Sequence, residues 1–503
     1  MKKRVERLRG MYDLLPDAYQ RQQQVLVRAR AFLGRAGYAP VDAPVLEHSD
    51  LFLNSFGQES WQNLYAFRLH HRDLCLRPEY TASICRLYLD HYQQQALPLR
   101  FQYAGPVFRY EAPGRGRYRQ HTQLGVELFG GQPSYADAEM IQLACDMLRD
   151  LQIEQYRLEL GHIGVASGFI QRLHLDEHAA HLLLSLMEQI SRSPQGEQAA
   201  QARLEALYPI AIPAREPLGD SDAETLPIEQ AHLVASLLGG MHISLGDDET
   251  RREVVERFLW KMGRGEQRRQ ILHALEFLRA LHAIAGSPPA VFDEVRALLE
   301  RYELDAAPLL ELEQLVDILN QGGVPNEHII LNLALGRGVS YYTGLVFEIH
   351  SQDEDGFDAQ ICGGGRYDHL VRAVGGPRDV RACGFAFGVE RLLSLVPAHV
   401  LLIAIETTQA LVIPVSEKDV PYALTVARTI RQRGGQIEVD ITGHGVGAGL
   451  KLAAKREIAL ALIVGEDERS SGKVTAHDLA TGLERAVSID TSTGAMFTAE
   501  EWR

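Results

Sequence analysis

Residues 107–130, VFRYEAPGRGRYRQHTQLGVELFG, place Arg109, Arg115, Arg117 and Arg119 close together in the chain. The whole chain of 503 residues has a formal net charge of −15, so this density of positive charge is local. A guanidinium group is planar, permanently charged and shaped to pair with phosphate or carboxylate oxygens. The segment therefore predicts an anion-binding site, with an ordinary solvated hairpin tip as the alternative.

The sequence around these arginines predicts the elements that position them. Apolar runs at 99–108 and 124–130 flank the cluster and indicate two strands joined by a basic loop. Along the chain, the character of the sequence changes in four steps. Residues 1–160 mix helix and strand, 161–325 have helical periodicity, 326–400 return to strand signals, and 408–503 alternate strand and helix.

Composition indicates an ordinary globular protein and excludes several other classes. The hydrophobic content is 46% and the charged content is 23%, and the chain contains no apolar run of the roughly 20 residues that span a bilayer. The start lacks the apolar segment of a signal peptide. The five cysteines never form a CxxC pair, which favours reduced thiols and predicts no metal site held by the protein. We therefore expect a cytoplasmic protein without a membrane partner.

Several short segments in a fixed order carry a resemblance to a known family. These are PVLE at 44–47, RPEYTA at 77–82, FRYE with GRYRQ at 108–120, RGVSYYTG at 337–344, CGGGRYD at 362–368 and GFAFGVERL at 384–392. In this order they resemble the catalytic core of histidyl-tRNA synthetase, a class II aminoacyl-tRNA synthetase. The resemblance implies an α+β fold: an antiparallel-sheet core, a helical insertion at 161–325, and an α/β anticodon-binding-like domain at 408–503. It also implies a homodimer that pairs through the PVLE motif.

The resemblance implies a role for each arginine that matches a motif. Arg109 is similar to the arginine that holds the α-phosphate of ATP, and Arg117 to the one that reaches the outer phosphates. Arg391 matches an arginine placed against the nucleotide. Glu111 matches the acid beside the adenine and its Mg²⁺ ion. Arg337 matches a catalytic arginine on the α-phosphate side, which acts together with Arg109. Fixed positive charge suits this chemistry because negative charge grows on the phosphate oxygens in the transition state.

The amino-acid pocket follows from the same resemblance. Glu79, Thr81 and Gln123 match the residues that hold the α-amino and carboxyl groups of histidine. Glu127 and Tyr342 match those that read the two imidazole nitrogens. A carboxylate and a phenol suit that task, because an imidazole offers one N–H and one lone pair, or two N–H groups when charged. The alternative for Glu127 is an ion pair with a neighbouring arginine. Tyr341 and Tyr367 are expected to be core aromatics without a chemical role.

Some positions depart from the family pattern. Ser340 replaces an aspartate, His121 replaces a phenylalanine next to the adenine, and Tyr80 replaces a glycine. The insertion begins LELGHIGVASGF, which looks more like the regulatory subunit of ATP phosphoribosyltransferase, a relative that senses histidine. Residues 408–503 carry eleven Lys and Arg against thirteen Asp and Glu, which is a poor charge balance for gripping an RNA backbone.

Two functions remain open from the sequence. In the first, the protein is a histidine–tRNA ligase that binds histidine, ATP with Mg²⁺, and tRNA(His). In the second, it is a non-catalytic histidine-sensing regulator that binds the catalytic subunit of ATP phosphoribosyltransferase. We favour the ligase, because the ATP-handling arginines and a C-terminal domain are both present.

Overall fold

A computed structural model describes residues 4–56, 64–175, 180, 183, 269–335, 341–401 and 410–488. The chain divides into two compact units, Met1–Leu402 and Ile403–Arg503. Each unit has its own sheet and its own hydrophobic core, and each is described separately.

The strands of the first unit are β1 (Ala39–Pro40), β2 (Leu46–His48), β3 (Tyr65–Leu69), β4 (Arg72–Leu76), β5 (Leu99–Phe108), β6 (Gln120–Phe129), β7 (Arg157–His162), β8 (Ala285–Gly286), β9 (Ile329–Asn332), β10 (Leu345–Gln352), β11 (Asp358–Arg366) and β12 (Ala382–Gly388). Its helices are α1 (Pro16–Arg35), α2 (Ser49–Phe56), α3 (Thr81–His91), α4 (Tyr135–Asp150), α5 (Ile163–Arg172), α6 (Pro288–Arg301), α7 (Ala307–Gln321), α8 (Leu370–Ala373) and α9 (Val389–Leu393). Residues 269–283 are also helical.

Among these strands, nine form one sheet in the order β1-β5-β6-β12-β11-β10-β7-β9-β8. Neighbouring strands are antiparallel except for the β1–β5 and β7–β9 pairs, which are parallel. The predicted α+β class with an antiparallel core sheet is therefore confirmed. The β5–β6 hairpin carries the predicted basic loop between its two strands.

Alternation along β6 decides which face of the sheet packs and which stays open to a ligand. Leu124, Val126 and Leu128 are buried in the main core together with residues of α1 and α4. Gln123 and Glu127, at the other set of alternating positions, point to the opposite face, because successive side chains of a strand alternate. The first face builds the hydrophobic core, and the second face carries the polar side chains predicted for the site.

A second, smaller sheet lies next to α3 in the same unit. Strands β2, β4 and β3 form it in that order, and α2 follows β2 directly. Strand β4 leads into the segment 77–80, and α3 begins at Thr81. This connection places Glu79 immediately before the helix.

The predicted insertion at 161–325 lies largely outside the described residues. Its described parts are α5, the helical residues 269–283, β8, α6 and α7. Apolar side chains of α5, α6 and α7 belong to the same core as β6 and α4. These parts of the insertion therefore pack against the sheet.

The second unit is a five-stranded sheet with helices on its faces. Its strands are β13 (Ala410–Pro414), β14 (Ile437–Val439), β15 (Leu460–Val464), β16 (Lys473–Asp478) and β17 (Glu484–Ser488). Its helices are α10 (Val420–Gln432), α11 (Val446–Lys455) and α12 (Glu466–Ser471). The sheet order is β14-β13-β15-β16-β17, with the first three strands parallel.

Both faces of β13 are covered, which explains its uninterrupted apolar sequence. Val412 faces the core that contains α10, and Ile413 faces the core that contains α11. The predicted C-terminal α/β domain with its own sheet is confirmed. None of the helices described in either unit has the length and apolar character needed to cross a membrane.

Candidate functional site

The open face of the large sheet has a floor of small residues. Across β12, β6 and β11, Ala386 is in register with both Gly125 and Gly363, and Gly384 is in register with both Glu127 and Gly365. A Cβ atom added at Gly384 would lie only 1.9 Å from Glu127 Oε2. The glycine at 384 is therefore required for the Glu127 carboxylate to lie across the neighbouring strand.

Glu127 lies at the bottom of this face and is 1% exposed. Its Oε1 accepts hydrogen bonds from Thr81 Oγ1 at 2.8 Å and from the Tyr103 hydroxyl at 3.0 Å. Its Oε2 accepts a short hydrogen bond from the Tyr367 hydroxyl. Burial raises the pKa of Glu127 to about 8, and the nearby carboxylate of Glu79 adds to that rise. Within the described part of the chain its hydrogen-bond partners are thus hydroxyl groups, and no arginine there forms the ion pair that was the alternative.

Glu79 is the second buried carboxylate of the pocket. Its two oxygens accept the backbone N–H groups of Thr81 at 3.2 Å and Ala82 at 2.9 Å, at the start of α3. The Tyr341 hydroxyl donates to Oε2 at 3.2 Å. Burial raises the pKa of Glu79, while the hydrogen bonds and the charge of Arg109 act in the opposite direction. Thr81 bridges the two acids: its hydroxyl donates to Glu127, and its backbone N–H donates to Glu79.

Gln123 and Tyr342 complete the predicted amino-acid pocket. Gln123 is buried, and its Oε1 has no hydrogen-bond partner among the described residues. Tyr342 packs on the backbone of Gly365, and its ring centroid lies 4.9 Å from that of Tyr341. A buried acceptor without a partner costs free energy unless a ligand supplies a donor. The pocket therefore has an acceptor available for a ligand N–H group.

Two tyrosines that the sequence assigned to the core also touch the pocket carboxylates. Tyr367 is 1% exposed, as a core residue is, yet its hydroxyl donates to Glu127. Tyr341 is partly buried and donates to Glu79. Tyr103, which carried no prediction, donates to Glu127 as well. The only signal in the sequence was their position next to predicted site segments, which does not separate a packing aromatic from a hydrogen-bond donor.

The four arginines of the basic loop separate into two groups. Arg115 pairs with Asp353 at 2.8 Å and Asp355 at 2.5 Å and is more than half exposed. Arg119 lies over the ring of Tyr110 at 4.1 Å and donates to a backbone carbonyl. Arg109, Arg117 and Arg119 form no ion pair with a carboxylate of the described residues. Among the described contacts, Arg115 is therefore the one arginine of this loop whose charge is neutralised by carboxylates.

Arg391 lies near Arg109 and Arg117, although it is far from them in the sequence. It lies in α9, and its guanidinium donates to the backbone carbonyls of Gly116 at 2.8 Å and Gln360 at 2.6 Å. Burial and the positive charges of Arg117 and Arg109 lower its pKa, whereas the carboxylates of Glu111 and Glu348 act in the opposite direction. Three guanidinium groups thus lie near one another without full neutralisation, and a polyanion would stabilise all of them.

His121 lies beside this cluster. Burial, together with the charges of Arg109 and Arg391, lowers the pKa of His121 to about 3. The imidazole is therefore neutral at physiological pH and offers a flat, uncharged ring. This property preserves the aromatic character of the phenylalanine that His121 replaces in the family pattern.

Glu348, which the sequence analysis did not single out, lies close enough to Arg391 for its charge to raise the pKa of that guanidinium. It lies in β10 in register with Gly363, which belongs to the floor, and His350 Nε2 lies 3.0 Å from its carboxylate. A partly buried acid within the apolar run LVFEIH was the available signal. Glu111, the predicted partner of the adenine and its metal ion, is exposed at the start of the basic loop.

The N-terminal segment holds the basic loop and α9 together. The carbonyl of Gly10 accepts the backbone N–H of Arg119 at 2.8 Å, and the ring of Tyr12 lies 4.6 Å from that of Tyr118. The Tyr12 hydroxyl donates to Glu390, which directly precedes Arg391. These contacts link the loop that carries Arg117 to the helix that carries Arg391.

Two predicted positions lie outside the described residues. Arg337, the proposed catalytic arginine, belongs to the undescribed segment 336–340, as does Ser340. The structure brings together the other predicted residues at one face of the sheet, with the acidic pocket at one end and the arginine cluster at the other.

Comparisons with known proteins agree with this arrangement. Residues 10–209 and 223–392 match the family model described as histidyl-tRNA synthetase, and residues 409–495 match a model described as an anticodon binding domain. The first model covers most of the predicted insertion as well, including its LELGHIGVASGF start.

Individual relatives match over nearly the full chain. The histidine–tRNA ligase of Methanosphaerula palustris is 32% identical over 97% of both chains. That of Methanocaldococcus jannaschii is 28% identical over 96% of this chain and 97% of its own.

Two solved structures are similar in fold. One is the histidyl-tRNA synthetase of S. aureus, with a TM-score of 0.59 and 19% identity over 97% of this chain and 98% of that one. The other, from Bacillus halodurans, is titled an ATP phosphoribosyltransferase regulatory subunit/histidyl-tRNA synthetase. Its TM-score is 0.60, with 20% identity over 92% of this chain and 99% of that one.

Proposed function

The chain belongs to the histidyl-tRNA synthetase family, and we propose that it is a histidine–tRNA ligase with its activation site on the open face of the large sheet. It joins histidine to ATP as histidyl-adenylate and transfers the histidyl group to tRNA(His). The observation that carries this proposal is the pairing of two opposite environments on one face. A buried carboxylate surrounded by hydroxyl groups lies at one end, and guanidinium groups that pair with no carboxylate of the described segments lie at the other.

The acidic pocket suits histidine. Glu127 accepts an imidazole N–H, and the Tyr342 phenol contacts the second ring nitrogen. Glu79 and the free Oε1 of Gln123 accept the N–H groups of the α-ammonium ion, while Thr81 helps to hold the polar end of the amino acid. A ligand cation also stabilises the charged form of the two carboxylates, whose pKa values are raised by burial.

The arginine cluster suits the phosphates of ATP. Arg109 holds the α-phosphate, Arg117 reaches the outer phosphates, and Arg391 lies against the nucleotide together with the neutral ring of His121. Mg²⁺ arrives with ATP as part of the substrate. Glu111 and Glu348 are the nearby carboxylates that could coordinate it, since Mg²⁺ prefers oxygen ligands. Arg337 stays a prediction from the motif that contains it.

The reaction needs little covalent chemistry from the protein. A carboxylate oxygen of histidine forms a bond to the α-phosphorus while the bond to pyrophosphate breaks, and a terminal hydroxyl of tRNA(His) then attacks the acyl carbon and releases AMP. The protein contributes positioning and fixed positive charge. Both are supplied by side chains whose own positions are fixed by backbone contacts, such as Arg109 Nε to the Pro78 carbonyl at 2.9 Å.

We further propose that the protein acts in the cytoplasm as a homodimer that pairs through its first motif. Val45 and Leu46 of that motif are exposed in the single chain, at 36% and 44%, and Phe67 and Leu69 of β3 are exposed at 46% and 50%. An exposed apolar patch of this kind favours burial against a second copy. Analytical ultracentrifugation should give a dimer for the wild type and a monomer for Leu46→Asp.

Pyrophosphate exchange tests the proposed activity. The purified protein with histidine, ATP and Mg²⁺ should exchange labelled pyrophosphate into ATP, and it should then charge tRNA(His). Arg337→Ala should lower the exchange rate by about 10²–10³-fold with little change in histidine affinity, because its interaction belongs to the transition state. Histidine binding without any exchange would instead support the regulator of ATP phosphoribosyltransferase. Exchange without charging would mean that the C-terminal unit does not bind the tRNA productively.

A further inference from the structure

Beneath the Glu127 carboxylate lies a pair of stacked tyrosines. The rings of Tyr80 and Tyr103 have centroids 4.3 Å apart and an interplanar angle of 13°, and both residues are fully buried. The Tyr103 hydroxyl donates a hydrogen bond to Glu127 Oε1 at 3.0 Å. Among the described residues, the Tyr80 hydroxyl contacts neither Glu79 nor Glu127 and bonds instead to Arg77 and Asp42.

Tyr80 is itself fixed at its polar end. Its hydroxyl donates to Asp42 Oδ1 at 3.0 Å and accepts a hydrogen bond from Arg77 Nη2 at 2.5 Å. The Arg77 guanidinium carbon lies 3.8 Å from the centre of the Tyr80 ring, and Arg77 is only 1% exposed. A buried guanidinium over an aromatic face adds a cation–π attraction to these hydrogen bonds.

The sheet has space for the Tyr80 hydroxyl because residue 105 is a glycine. A Cβ atom added at Gly105 of β5 would lie 2.2 Å from the Tyr80 hydroxyl oxygen. The ring of Tyr80 is therefore enclosed by Arg77, β5 and Tyr103. Because it cannot move sideways, it gives Tyr103 a fixed surface to stack on.

We propose that Tyr80 is a positioning residue for amino-acid selection: its ring fixes Tyr103, and Tyr103 fixes the Glu127 carboxylate that reads the imidazole. This inference rests on the proposed function, because it assigns Glu127 to the histidine side chain. Tyr80 touches neither substrate. The backbone of Tyr80 joins the pocket residues Glu79 and Thr81. Its ring acts on the pocket through one aromatic stack and one hydrogen bond.

Substitutions at Tyr80 separate positioning from general packing. Tyr80→Leu removes the stacked ring, whereas Tyr80→Phe keeps the ring and loses only the hydroxyl contacts. Tyr88 offers a matched control: it lies in the adjoining helix α3, is buried, and stacks on Phe129 with centroids 4.7 Å apart and an angle of 6°. Tyr88→Leu therefore removes a comparable buried stack that does not lead to Glu127.

The readouts are the KM values for histidine and for ATP in pyrophosphate exchange, and the Kd of histidinol measured by calorimetry. Tyr80→Leu should raise the histidine KM and the histidinol Kd about tenfold, the size expected for weakening one hydrogen bond to a charged group. Its ATP KM should change by less than about twofold. Tyr80→Phe should bind histidine as the wild type does, and Tyr88→Leu should lower the melting temperature without raising the histidine KM.

An unchanged histidine KM in Tyr80→Leu would overturn the inference, and so would an equal rise in the KM values for histidine and ATP. An equal rise in histidine KM for Tyr88→Leu would overturn it as well. If Tyr80→Leu does not fold, Tyr103→Phe replaces it, because that variant keeps the stacked ring and loses the hydroxyl. The histidine KM and the histidinol Kd should then rise about tenfold. Unchanged values would contradict the inference. If the wild type shows no exchange at all, the proposed function fails, and the histidinol Kd still decides the role of Tyr80.

Discussion

Buried charge is stabilised in opposite ways at the two ends of the site. At the acidic end, hydroxyl groups of the protein surround Glu127, and three hydrogen bonds satisfy its two oxygens. At the basic end, burial and the charges of Arg117 and Arg109 lower the pKa of Arg391. The first environment is formed before the ligand arrives, whereas the second is stabilised fully only when an anion binds. The histidine pocket should therefore contribute mainly to histidine binding, and the arginine cluster to ATP binding and to the rate of the reaction.

The largest expected effect follows from removing a guanidinium group at the basic end of the site. Arg109→Ala should lower the rate of pyrophosphate exchange by about 10²–10³-fold, the usual cost of losing one fixed donor to a developing charge. Its histidine affinity should stay close to that of the wild type, because the cost is confined to the phosphate side. Exchange kinetics and calorimetry measure the two quantities.

Arg115→Ala is the matched control for that experiment. Arg115 lies in the same loop but pairs with Asp353 and Asp355, so its charge is already neutralised. Its removal should change the exchange rate by less than about threefold, since exposed ion pairs contribute little free energy. Equal losses in the two variants would contradict the separation of the four arginines into two groups.

A smaller effect is expected from breaking the acidic end. Glu127→Gln should weaken histidine binding by about 1–3 kcal/mol, the usual cost of degrading a buried hydrogen bond. The Kd of ATP should stay within about twofold of the wild-type value. Calorimetry with each ligand checks both statements, and an unchanged histidine Kd would refute the assignment of the pocket.

The stability of the protein should depend on pH through the same carboxylate. Burial raises the pKa of Glu127 from 4.5 to about 8, so the folded state holds this proton over a pH range where the unfolded chain has lost it. Its contribution is fully present below pH 4.5 and is lost as the pH rises through 8. The free energy of unfolding of the wild type should fall relative to Glu127→Gln across this range, by at most about 1.4 kcal/mol per pH unit. Denaturant unfolding at several pH values measures the difference, and parallel curves would contradict it.

The smallest expected effect concerns His121. Because its pKa is lowered to about 3, its ring should stay neutral at every pH at which the protein is active. His121→Phe keeps a neutral flat ring, and the ATP KM should change by about threefold or less, in line with the modest energy of one aromatic contact. An NMR titration should show no protonation of His121 above pH 5, and a transition near pH 6.5 would contradict the burial of this ring.

Much of the fold was predictable because local patterns and tertiary packing agree. The apolar runs at 99–108 and 124–130 predict two strands joined by a basic loop, and the structure forms them as β5 and β6. The alternating strands and helices after 408 predict an α/β unit, and β13 is buried on both faces as that pattern requires.

The hydrogen-bond partners within the site were not predictable in the same way. The sequence cannot show which arginines meet a carboxylate, because Asp353 lies 238 residues from Arg115. It also cannot distinguish a tyrosine that only packs from one whose hydroxyl reaches a buried acid, as Tyr103 does. Both properties depend on strands that come together only in the folded sheet.

The central claim is that the acidic pocket and the arginine cluster are two halves of one activation site, each with its own ligand. Calorimetric titration of histidine and of ATP into Arg109→Ala and Glu127→Gln tests it most directly. Arg109→Ala should lose ATP affinity and keep histidine affinity, and Glu127→Gln should do the reverse. A variant that loses the affinity for the ligand of the other half, or for neither ligand, would contradict the account.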